Sequence, residues 1–98
     1  MSKPKTAEDV RAQLLSQFKG IADYWAALPD MTGSERCHGV VFSILATLDG
    51  SSDSMPSIDL LLSPHKDDKE YNISLGNDYY EKGMMINDCH LHELYKGN

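Results

Sequence analysis

Val10, Leu14, Phe18, Ile21 and Trp25 recur at steps of three or four with polar residues between them, so they fall on one stripe of a helix. Thr6 opens the stripe and Asp9 follows three positions later, a pairing that can satisfy the free amides of a helix start. Pro29-Asp30 closes it, which predicts a helix over residues 7–27. The next apolar run is less plain. Val40, Val41, Ile44, Leu45 and Leu48 share a helical face, yet Val40, Phe42, Ile44, Ala46 and Leu48 also alternate as a strand would. Periodicity leaves both readings of 40–48 open. The Thr32-x-x-Glu35 box ahead of the run and the length up to Gly50 favour a buried helix.

Beyond a polar loop at Gly50–Ser57, Ile58, Leu60 and Leu62 alternate with Asp59 and predict a short strand. Ser63-Pro64 can open a short helix, with Pro at the first helical position, ending at Gly76 and Asn77-Asp78. Met84-Met85-Ile86 can pair with the earlier strand, and Asp88 can cap a last short helix running through Tyr95. The expected fold class is α+β: two longer helices packed on a small sheet, with short C-terminal helices. Residues 1–98 read as one domain, with 1–5 expected to be disordered and Phe18, Trp25, Ile44 and Leu60 in the core.

Charge changes this picture at one point. Residues 1–48 carry five acids and five bases, whereas residues 49–98 carry ten acids against four bases, the whole of the net charge of −6. Such a half repels phosphate backbones and anionic lipid, so neither nucleic acid nor membrane is an expected partner. No apolar run approaches a membrane span, and the opening Met-Ser-Lys-Pro-Lys-Thr lacks the apolar stretch of a secretory signal, which predicts a cytoplasmic protein. Cys37 and Cys89 are then expected to be free thiols.

Two groups of residues could carry chemistry. The first is Leu60-Leu61-Leu62-Ser63-Pro64-His65-Lys66-Asp67-Asp68, a strand delivering a histidine and two carboxylates at its end. Imidazole and carboxylate suit zinc, and a second carboxylate can take a proton from bound water. The second is the pair of dipeptides Cys37-His38 and Cys89-His90, with His92 nearby. Adjacent ligands on one element point in different directions, unlike the Cys-x2–4-Cys and His-x3–5-His spacings that converge on one ion. No metal and no cofactor are therefore expected. His92-Glu93-Leu94-Tyr95-Lys96 lacks the second histidine of a zincin, and Asp49-Gly50-Ser51-Ser52-Asp53 lacks the glycine and glutamate of a calcium loop.

The Leu60–Asp68 string resembles the zinc motif of the PIG-L/LmbE deacetylases, in which a strand runs into His-Pro-Asp-Asp. That resemblance implies His65 and Asp68 as metal ligands and Asp67 as general base, although Lys66 stands where the motif has Pro. More of the chain is covered by another likeness. Gly39 to Gly50, Pro56 to Leu60, Pro64 to Tyr71 and Leu91-His92-Glu93 together resemble a family of small bacterial and prophage proteins, over about residues 36–95. It implies one domain in which 40–48 is helical, leaves both cysteines outside its motifs, and transfers no activity.

The leading expectation is thus a small acidic, non-catalytic protein-interaction or regulatory domain, a prophage accessory protein, binding a protein with a basic surface. Its expected contact surface has Asp53, Asp67, Asp68, Glu70 and Glu93 as a charged rim and Tyr71, Tyr79 and Tyr80 as aromatic anchors. The alternative is a small metal-dependent hydrolase using His65, Asp67 and Asp68.

Overall fold

The computed structural model describes residues 2–97, and within them the chain is helical, with no sheet. Helix α1 spans Ala7–Ala27, α2 Gly33–Leu48, α3 Asp68–Ser74 and α4 Leu91–Gly97. The first two form as their sequence signals dictate. Thr6 and Asp9 exchange side-chain and backbone bonds at the start of α1, and Thr32 and Glu35 do the same for α2. In each box, hydrogen bonds from the threonine, the backbone N–H foremost, hold the carboxyl of Asp9 or Glu35 below its ordinary value. At its far end α2 closes in a Schellman arrangement. Ser51 N–H donates to the Ala46 carbonyl and Gly50 N–H to that of Thr47, with Gly50 at φ 83°.

The α1–α2 hairpin closes on a single tight contact. Gly39 lies flat against the Trp25 ring, where a Cβ would stand 2.4 Å from Cε3, and Trp25 Nε1–H donates to Ser43 Oγ at 2.9 Å. Arg36 Nη2 reaches back to the Leu28 carbonyl at 2.8 Å and ties the connection down. The loop after α2 then folds onto α1: Gln13 Nε2–H donates to the Ser54 carbonyl, Ser54 Oγ–H to Gln17 Oε1, and Met55 is buried beneath them.

The predicted α+β class is wrong, and the reason is local. The segments around Leu60 and Met85 do meet, but as one isolated antiparallel bridge, Leu61 to Met85, flanked by Leu62 N–H to the Met84 carbonyl and Ile86 N–H to that of Leu60. A two-stranded ribbon needs a third strand or a packed face to propagate, and neither is present among the described residues. In place of a longer ladder, Asn87 clamps the base: Leu60 N–H donates to its Oδ1 at 2.8 Å and its Nδ2–H donates to the Ile58 carbonyl at 2.6 Å.

Other expectations shift as well. α3 begins at Asp68, after a turn over Lys66 and Asp67, so Pro64 is not its first residue. α4 begins at Leu91, too far along for Asp88 to be its cap. Phe18, Trp25, Ile44 and Leu60 are each half-buried where a core position was expected. Of the segment expected to be disordered, residues 2–5 are irregular and exposed, and Met1 lies outside the described residues. The half-burial follows from shape. The radius of gyration is 17.6 Å, against about 13 Å for a compact domain of this length. The molecule is a plate 52 × 47 × 20 Å, in which α2 packs against both α1 and α4.

Candidate functional site

Two features stand out from the helical plate: a projecting arm and a buried carboxylate–histidine pair. The arm is the chain between Leu62 and Gly83, closed at its base by the Leu61–Met85 bridge and the Asn87 clamp. Its helix, α3, packs against no other helix among the described residues. Apolar side chains therefore stand in solvent: Tyr71 is 64% exposed, Ile73 54% and Leu75 56%, Tyr80 further along the arm is exposed too, and so are Met84 and Ile86 at its base.

Most of the sequence-predicted contact residues sit on this arm. Asp67, Asp68 and Glu70 crowd the start of α3, where carboxylates suit the positive end of the helix, and Asp68 alone of the three is half-buried. Tyr71 follows on the same helix. Tyr79 carries the Lys69 ammonium over its ring at 5.0 Å, and Tyr80 is free of such a partner among the contacts described. The structure places the remaining two elsewhere. Asp53 is exposed on the loop held against α1, and Glu93 is on α4, beside His90 Nδ1 at 3.4 Å. The rim is thus carried by three separate elements.

His65, Asp67 and Asp68 occupy the turn into α3. Asp67 N–H donates to His65 Nδ1 at 3.2 Å, and the Asp67 carboxylate stands 3.6 Å from the same nitrogen, both side chains well exposed. That nitrogen is used by the backbone, and the three side chains do not form a convergent ligand set. Among the described residues, one group of three does bring its ligand atoms within 4.8 Å of one another: His90, His92 and Glu93. Neither cysteine belongs to it; Cys37 and Cys89 are exposed and unpaired with each other. His38 instead meets the Tyr95 hydroxyl through Nδ1.

The second feature went unseen in the sequence. Asp49, the residue that ends α2, has a fully buried side chain, and its Oδ2 accepts both the backbone N–H of His92 at 2.9 Å and the ring Nδ1–H at 2.8 Å. Burial pushes the Asp49 carboxyl up. The His92 backbone and ring bonds, with the nearness of His92 and His90, outweigh it and hold the carboxyl below its ordinary value of 3.8. An ionised carboxylate accepts only, so in this bond the proton is on Nδ1. Phe42 meets the His92 ring edge-on at 5.5 Å, and His90 stacks on it at 5.4 Å. Asp49 Oδ1 is buried with no partner. The pair spans 43 positions of sequence, so no periodic pattern announces it. Its chemistry is that of a fixed imidazole with one free nitrogen. Its mechanical effect is to pin the start of α4 to the end of α2.

Between α1, α2 and α4 lies a groove of about 620 Å³ lined by Trp25, Met31, Phe42, Tyr95 and the glycine face of α2 at Gly39. A smaller one of about 430 Å³ is lined by Trp25 together with Ile21 and Tyr24. No helix among the described residues is long and apolar enough to cross a membrane. No protein-family model, no curated protein and no solved structure matches this chain.

Proposed function

We propose that this chain is a non-catalytic protein-interaction domain, an accessory or regulatory factor whose contact surface is the arm between Leu62 and Gly83. One observation carries the reading: α3 and the Leu75 that ends it present Tyr71, Ile73 and Leu75 to solvent, and α3 packs against no other helix among the described residues. A helix of seven residues has too few internal hydrogen bonds to persist alone, and exposed apolar side chains on it gain most when a partner covers them. Asp67, Asp68 and Glu70 edge that surface with negative charge, which suits a protein partner with a basic face.

The test begins with capture of partners from a lysate, followed by association rates for the purified pair at low and high salt. Rim charge acts on the rate of encounter, so wild-type association should slow as salt is raised. The variant Asp67→Asn/Asp68→Asn/Glu70→Gln should associate several-fold more slowly at low salt and lose most of the salt dependence. Association that ignores both salt and these changes would reduce the acidic half to a solubility feature.

A further inference from the structure

The exposed surface is larger than one chain of this mass should leave. Its accessible area is 7718 Å², against about 5,600 Å² for a compact monomer of 10.9 kDa. The irregular residues 2–6 account for part of the difference. The difference is about 2,100 Å² per chain, so two chains that each covered half of it would together bury about 2,100 Å², at the lower edge of the range of obligate homodimers.

The same chain also carries both halves of a contact. Among the described residues, no helix packs on the arm, and no side chain of the arm lines the groove between α1, α2 and α4. The pattern on α3 says what kind of surface covers it. Tyr71 and Leu75 are four positions apart and share a face, whereas Ile73 lies about 200° round the helix on the opposite one. A flat partner would cover one face and leave the other wet; a groove covers both. The open groove walled by Trp25, Met31 and Phe42 supplies apolar surface for such a contact.

Charge does not oppose self-association here. Although the chain carries −6, residues 63–82 hold five acids and three bases, and α1 holds three acids and two bases, so the facing segments are close to neutral. Resting on the interaction reading above, we infer that the apolar side of the arm is covered by a second copy of this chain. Each arm crosses to the partner copy and α3 enters its α1–α2–α4 groove, as in an exchanged, two-fold symmetric dimer. The carboxylates of Asp67 and Glu70 stay at the rim of that dimer, available to the basic partner.

Sedimentation equilibrium of the full chain across a wide concentration range tests this. The expected mass is twice the chain mass of 10.9 kDa, unchanged or firmer at high salt because the contact is apolar. Ile73→Asp/Leu75→Asp should shift the same chain to a monomer with its helical circular dichroism retained, since both side chains are exposed within one copy. Position is tested by mixing two variants in a Cys37→Ser/Cys89→Ser background, one with Ser34→Cys at the groove and one with Leu75→Cys on the arm. A mixed disulfide between them is expected, and its absence in a dimeric sample would overturn the groove assignment. A mass of one chain at the highest concentration would overturn self-association. If that monomer still binds a basic partner in the salt-dependent way described above, the interaction reading survives; if it does not, both fall.

Discussion

The α1–α2 hairpin and the arm both carry large apolar side chains, yet one is held and the other is not. In the hairpin, each local signal has a reciprocal partner: Thr6 with Asp9, Thr32 with Glu35, Gly39 with Trp25, Trp25 with Ser43. In the arm the polar bonds gather at the base, around Asn87 and the Leu61–Met85 bridge, and the apolar side chains beyond it face solvent. Local capping makes a helix; only a facing surface makes it part of a core. The contrast separates what this chain does for itself from what it leaves for something else to do.

The largest effect should come from breaking the hairpin. Trp25→Ala removes the ring that lies on Gly39, the bond to Ser43 and a wall of both grooves. It should cost about 3 kcal/mol, measured by urea denaturation followed by helical circular dichroism. A loss under about half a kcal/mol would mean that the plate does not depend on its helix crossing, because surface substitutions fall in that range.

The Asp49–His92 pair sits between the two regions, and its removal should cost less. Asp49→Ala leaves the His92 backbone N–H and ring N–H without an acceptor, about 2 kcal/mol by the usual cost of an unsatisfied buried donor. The pH dependence follows in sign. The Asp49 carboxyl is held below 3.8 in the folded chain, so its contribution is present above that ordinary value and is lost as pH falls through the lower folded value. Acid denaturation of wild type should therefore steepen below pH 3.8, and Asp49→Asn should lack that added steepness while being less stable at neutral pH. Curves of equal shape would show that the pair carries no net ionic contribution.

What could be read from the sequence divides along the same line. α1 and the acids at the start of α3 were legible because caps, stripes and charge are local patterns. Residues 40–48 matched helix and strand periods alike, and only the Thr32 box and the length of the run favoured the helix. The small sheet was misread because alternation at Ile58–Leu62 reports that a strand is possible, not that a second and third are at hand to pair with it. The burial of Phe18, Ile44 and Leu60 was overestimated for a related reason. A stripe shows which face seeks cover, and nothing in periodicity says how much cover the rest of the chain supplies. Asp49 and His92 stood in motifs that failed for want of a required residue, a calcium loop and a zincin helix, and their pairing is a fact of tertiary structure. The aromatic arm was legible as a surface through Tyr71, Tyr79 and Tyr80, but not as a projection.

The smallest effect sharpens the comparison most directly, because it sets the same cap position of a held helix against that of a free one. Thr32 at the start of α2 accepts the Glu35 backbone N–H through its side chain at 3.0 Å and donates its own backbone N–H to the Glu35 carboxylate in return. Asp67, at the equivalent position of α3, makes no side-chain bond to its own helix and has αR backbone angles, φ −93° and ψ −7°, that turn it away from the capping geometry. Thr32→Ala should thus lower stability by about 1 kcal/mol, whereas Asp67→Ala should change it by less than about 0.3 kcal/mol. Paired urea titrations at one pH and salt measure both. A cost at Asp67 matching that at Thr32 would mean that α3 is held through its N-terminus after all, and that the arm is a supported element with no need of a covering surface.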